Sequence, residues 1–377
     1  MPSKKLVPSA PPPSPASDSV AASTLLDSTT LDHLTAVLRA VGEAANRAGA
    51  HHVFTAYRQR KAHNTLRRQD ADLRAFEAFL NLVLQRTGTG LEIPVDALRQ
   101  DPTFWQGITW GLVEAFVQSR LRDGYAASTV NFQLSTIKVY AGLAAQAGSL
   151  PERELPLIQS IKTMRRSEAV RVDEKRAQTR VGRKKAQPTE ITDALADALI
   201  DQRTDTPQGR RDRLLMCLLL RHGLRVSEIT RLEAENFDLE KGIFKFYRPK
   251  VTKTQVHELT EDTWAAAKAF FYAGDAPTSG PLFSESNRNG KLDQKRRGKV
   301  AVSTRGINDR VRTLGAVIGM DTLSPHDCRH YWATKAAAEN VPLERLKQAG
   351  GWSSVQMPIR YIGDAEIANQ GMGRKKK

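Results

Sequence analysis

Toward one end of this 377-residue sequence stand Ser324-Pro325-His326-Asp327-Cys328-Arg329-His330, then Gly351-Trp352, then Tyr361. Ser324 and Pro325 have the chemistry of a helix N-cap and first helical residue, which puts His326 and Arg329 one turn apart on a common face. Far upstream, His222-Gly223-Leu224-Arg225-Val226-Ser227-Glu228 supplies a second arginine just past an apolar helix. Attack on a phosphodiester needs a nucleophile, neutralisation of charge on the non-bridging oxygens, and a proton for the leaving oxygen. These residues offer each part without a metal. Arg225 and Arg329 suit a bidentate clamp, because a planar guanidinium matches two oxygens where an ammonium meets one. His326 can donate to the same phosphate or manage the nucleophile's proton. Tyr361 is the candidate nucleophile, and its ordinary pKa of about 10 means that it needs cationic neighbours to ionise near neutrality.

Taken singly, each residue has a plainer reading. Arg225 could cap a helix, Arg329 could pair with Asp327 or Glu339, His326 could cap a helix start, and Tyr361 could be a half-buried aromatic. The set in order is what argues for chemistry. Tyr331 is a rival nucleophile, but its place on the helix turns it away from the His326 and Arg329 face. His326, Cys328 and His330 match no usual zinc spacing and no second cluster completes a site, so no metal is expected. No phosphate-binding glycine loop or dinucleotide fingerprint occurs.

The segment from about Arg211 to Gly363 resembles the tyrosine recombinases, the site-specific DNA strand-exchange enzymes that include the phage integrases. Members look like R-x-x-E/D after a G-L-x signature, a lysine in a strand-connecting turn, H-x-x-R, G-H or G-W, and a tyrosine nine residues later. Those positions fall on Arg225 with Glu228, on Lys253 within Val251-Thr252-Lys253-Thr254, on His326 with Arg329, on Trp352 and on Tyr361. The resemblance implies that Lys253 is the general acid for the leaving 5′ oxygen, with Lys250 in the same turn able to reach the same place. Trp352 stands where histidine is commoner; its indole N–H can only donate, which leaves proton transfer to His326 and Lys253. The resemblance further implies a 3′-phosphotyrosyl intermediate on double-stranded DNA sites, no cofactor, and a homo-oligomer of four protomers. Two other activities use overlapping features: a type IB topoisomerase-like relaxing enzyme, and a non-catalytic architectural or regulatory DNA-binding protein.

The elements that must hold these residues fit two domains, since 377 residues can bury two cores. Fifty-seven Lys and Arg against forty-one Asp and Glu give a net charge of +16, an imbalance that favours a polyanionic partner. Two cysteines, no apolar run of membrane-spanning length and no signal peptide point to a cytoplasmic protein without a membrane partner. Residues 1–28, rich in Pro, Ser and Ala, read as a disordered tail. Residues 29–163 carry helical apolar spacing and read as a helical core-binding domain. There Thr65, Arg67 and Arg68, and Thr129 and Asn131, sit at helix starts suited to DNA phosphates or, equally, to ordinary capping. A basic stretch over 164–188 reads as a linker. From 189 to 377 helices resume around three short strands, near 237–239, 243–247 and 255–259, and residues 284–299 read as a mobile loop. The expected fold class is α+β: a helical core-binding domain, then a mostly helical catalytic domain with a small antiparallel three-stranded sheet, the two closing around duplex DNA.

Overall fold

The computed structural model describes residues 28–50, 52–176, 188–201, 203–249, 251–287 and 289–365. It is mostly helical, with one small sheet, and it divides into two compact units. The expected tail lies outside the described residues but for Ser28, and so do Lys250 and residues 366–377.

The first unit holds α1 (Ser28–Ala50), α2 (Val53–Gln59), α3 (His63–Arg86), α4 (Ala97–Gln100), α5 (Trp110–Arg122), α6 (Ala127–Gln146), α7 (Glu154–Ser160) and α8 (Arg166–Glu174). Apolar residues recurring along α3, α5 and α6 close a core in which the Phe76 and Phe116 rings meet edge to face at 5.1 Å. Within the stretch expected to be a linker, residues 166–174 form helix α8, and the two units divide after residue 184. The charged sequence of α8 buries nothing of its own, yet the Glu168 carboxylate accepts from the Arg165 N–H at 2.8 Å and so caps the helix start. Asp173 accepts from the Ala127 N–H at 2.9 Å and the Arg176 guanidinium donates to the Gly124 carbonyl at 3.2 Å, which ties α8 to the start of α6. Residues 177–187 lie outside the described residues.

In the second unit come α9 (Asp193–Ile200), α10 (Pro207–Leu220), α11 (Val226–Ile229), the strands β1 (Phe237–Asp238), β2 (Ile243–Arg248) and β3 (Lys253–Glu258), then α12 (Glu261–Tyr272), α13 (Thr304–Val317), α14 (Pro325–Ala338), α15 (Leu343–Gly350) and α16 (Gln356–Ala365). Helix α10 is apolar on every side from Leu214 to Leu220 because it runs through the core, against α9, α12 and α14. It ends at Leu220, and the chain then turns at Gly223, which has φ +60° and lies against the Trp332 ring so closely that a Cβ there would sit 2.2 Å from it. The sheet is antiparallel in the order β1-β2-β3, with Phe244 opposite His257 and Arg248 opposite Lys253. Strand β2 alternates strictly, Phe244, Phe246 and Arg248 inward, Lys245 and Tyr247 outward.

Residues 284–299 also depart from expectation. The Asp293 N–H donates to the Glu285 carbonyl, Ser286 bridges Leu292, and Leu292 is buried in the core. A polar composition concealed one apolar anchor.

Candidate active site

Four elements of the second unit bring five of the predicted residues, Arg225, His326, Arg329, Trp352 and Tyr361, to one cleft of about 650 Å³. Arg225 lies just before α11, where its backbone N–H donates to Glu228 at 2.9 Å while its guanidinium reaches the same carboxylate at 2.8 Å. This is why the motif needs an acid three residues on: Glu228, 2 % exposed, caps the short helix and aims the arginine. At the start of α14, Ser324 and Asp327 close a capping box, and Asp327 also accepts from the Thr189 N–H at 3.1 Å. Asp327 is therefore committed to the backbone and Arg329 takes other partners. His326, one residue past Pro325, stays exposed into the cleft.

Arg329 is 3 % exposed, and donates to the Gly223 and Gly350 carbonyls at 2.5 Å each. Burial, with Arg225 next, pushes its pKa down to about 9. Trp352 follows α15 through Gly351, which has φ +59°, and its ring lies 4.5 Å from the Arg329 guanidinium, 6.0 Å from Trp332 and 5.5 Å from Tyr361. It packs the site. Tyr361, on α16, is 8 % exposed and also meets the His330 ring edge to face at 5.1 Å. The rival Tyr331 faces away, its hydroxyl donating to Asp193 at 2.6 Å.

Lys253 is not brought into this cleft. It opens β3, is exposed, and lines a separate depression with Arg345 and Gln348, whereas Val251 represents its turn in the cleft lining. Sequence reasoning missed Ser227 and Asn308, which line the cleft, and above all Arg248, which lies behind it.

Arg248 explains how the cluster is held. The C-terminal carbonyls of a helix have no partner within it and carry the negative end of its dipole. At the end of α15, Gln255 takes Gln348 at 2.6 Å and Arg248 takes Ala349 and Gly350, both at 2.6 Å. Arg329 shares Gly350, and Arg225 takes Gly351 at 3.2 Å. Three guanidiniums thus converge on one helix end with Glu228 as their carboxylate. That excess of buried positive charge fits an anion.

Comparison with known proteins agrees with this geometry. Residues 189–366 match the phage integrase family model. Tyrosine recombinase XerD of Xanthomonas axonopodis pv. citri is 25 % identical over 265 residues, covering 68 % of this chain and 78 % of that protein. The second unit is therefore a phage integrase family domain. Tyrosine recombinase XerA of Thermococcus kodakarensis is 28 % identical over 157 residues, 41 % of this chain and 51 % of that relative, so this match spans about half of its length. Among solved structures, the Tn1549 transposon integrase in complex with transposon right end DNA shares the fold at 14 % identity and a TM-score of 0.56, covering 86 % of this chain and 96 % of that one.

In the first unit, the candidate DNA contacts divide. The Asn131 amide is occupied at both ends, donating to the Met164 carbonyl at 2.8 Å and accepting from the Met164 N–H at 2.9 Å, so its role is structural. Arg68 lies 3.4 Å over the Phe132 ring and 3.7 Å from Asp72. Thr129 is half-buried, and Thr65 and Arg67 are exposed at the start of α3.

If the cluster is built for a phosphate, a tetrahedral dianion should stabilise the fold. Sulfate at about ten times its Kd is expected to add ~1.4 kcal/mol and raise Tm by ~3–5 °C. Thermal melts in sulfate against chloride check this. Arg225→Gln should lose the gain and retain only the salt's general effect.

Proposed function

We propose that this chain is a site-specific DNA recombinase that cuts and rejoins duplex DNA through a 3′-phosphotyrosyl intermediate. The observation that carries the reading is the convergence of Arg225, His326, Arg329, Trp352 and Tyr361 in one cleft, with the Arg248 guanidinium behind it on the same helix end as Arg225 and Arg329. Tyr361 attacks the scissile phosphorus, and the 5′ oxygen leaves. Arg225 and Arg329 take up the charge that builds on the non-bridging oxygens. His326 donates to the phosphate or receives the tyrosine proton. The covalent link keeps the energy of the broken bond, so a 5′ hydroxyl from a partner duplex can reverse the step without a nucleotide cofactor. Exchange between two duplexes calls for four protomers, and the protein is placed in the cytoplasm.

A nicked suicide duplex cut from the DNA flanking the gene tests the reading. The expected result is a covalent protein–DNA band on a denaturing gel, unchanged by EDTA; no band, or relaxation of supercoiled plasmid by monomer without strand exchange, would refute it.

The leaving oxygen's proton is assigned to Lys253. A lysine ammonium on its four-carbon stem can swing from the adjoining depression toward a bound phosphate. With a bridging 5′-phosphorothiolate the leaving thiolate needs no proton, so this substrate should restore cleavage by Lys253→Ala. Lys250→Ala should instead weaken binding and lower the salt slope by roughly one. Rescue of Lys250→Ala alone moves the general acid there.

A further inference from the structure

Arg248 is 1 % exposed and does not line the cleft, so it touches no phosphate. Its placement is nonetheless costly. The guanidinium is buried beneath the sheet, its Nε finds no hydrogen-bond partner among the described residues, and an ideal Cβ on Gly351 would lie 2.5 Å from it. An arginine serving stability alone would gain little here, because an apolar residue on this inward face of β2 would bury as well beside Phe244 and Phe246.

What Arg248 does is share the partners of both clamp arginines. Glu228 Oε1 accepts from Arg225 at 2.8 Å and lies 3.5 Å from Arg248 Nη1. The Gly350 carbonyl accepts from Arg248 at 2.6 Å and from Arg329 at 2.5 Å. Without Arg248, the buried carboxylate would face Arg225 alone and compete with the phosphate for its charge, and the Gly350 carbonyl would fall to Arg329 alone. Resting on the recombinase reading above, we infer that Arg248 is a positioning residue that draws Glu228 and the α15 carbonyls partly to itself, and so leaves Arg225 and Arg329 available to the scissile phosphate.

The test is whether removing the competitor restores what removing Arg248 takes away. Arg248→Met should slow single-turnover cleavage of the nicked duplex by about tenfold or more, with DNA affinity within about twofold, and should weaken stabilisation by inorganic sulfate. Adding Glu228→Gln should recover a large part of both losses, a repair that a merely structural arginine would not allow. Arg248→Lys should fall between. If Arg248→Met does not fold, Arg248→Lys with and without Glu228→Gln makes the same comparison. Cleavage and sulfate response at wild-type levels in the folded single variant, or no recovery in the double variant, overturn the inference. Absence of a covalent band in the wild type would count against the recombinase reading instead, and the sulfate arm would still judge Arg248.

Discussion

Tyr361→Phe should abolish the covalent protein–DNA band while leaving DNA binding within about twofold of wild type. The substitution removes one oxygen and keeps the ring, which is the part packed against His330 and Trp352. Folding should therefore be nearly undisturbed. With no nucleophile, cleavage should fall by at least about 1,000-fold, as when the nucleophile of a hydrolase is removed. Denaturing gels with labelled duplex, paired with a gel-shift titration, separate the two effects. A persistent band would place the nucleophile elsewhere, and Tyr331, whose hydroxyl is held by Asp193, would be the first residue to examine.

Arg329→Ala should cost ~3 kcal/mol or more of transition-state stabilisation, a fall of over a hundredfold in cleavage. It should also lower Tm, because the Gly223 and Gly350 carbonyls lose a donor. Arg329→Lys separates charge from shape. Burial and then Arg225 push the arginine down to about 9, yet a guanidinium starts so high that it stays charged at working pH. A lysine starts from about 10.4, and the same burial beside Arg225 would push it down from that value toward neutrality. Its variant should therefore gain cleavage as pH falls, and remain below wild type throughout because one ammonium cannot grip two oxygens. Cleavage at pH 8 equal to wild type would end the case for a guanidinium clamp. The pH series on the nicked duplex reads this directly.

The residues gathered in the cleft were legible in the sequence because most of them are tied to local signals. Ser324-Pro325 announces a helix start and so fixes His326 and Arg329, and Glu228 three residues after Arg225 is a cap visible in one dimension. Tyr331 could be set aside by helical spacing, and its hydrogen bond to Asp193 agrees. Arg248 was legible in principle: the alternation from Phe244 to Arg248 puts it on the buried face, but a charged residue beside a proline reads as the start of a turn. The carbonyls that receive it lie about a hundred residues away, which no local pattern carries. Helix α8 was missed because its stability comes from capping and from ties to α6 rather than from an apolar stripe. Asn131 had the right residue type for a phosphate contact and was claimed by a backbone instead.

The end of α15 carries one more consequence. Arg225, Arg248 and Arg329 arise from separate elements, yet all three hang from the carbonyls of residues 349–351. A change beneath that helix, at buried Leu346 for instance, would shift all three together without altering any reacting group. The cluster can thus be adjusted as a unit from a position remote from the cleft, with all three arginines left in place.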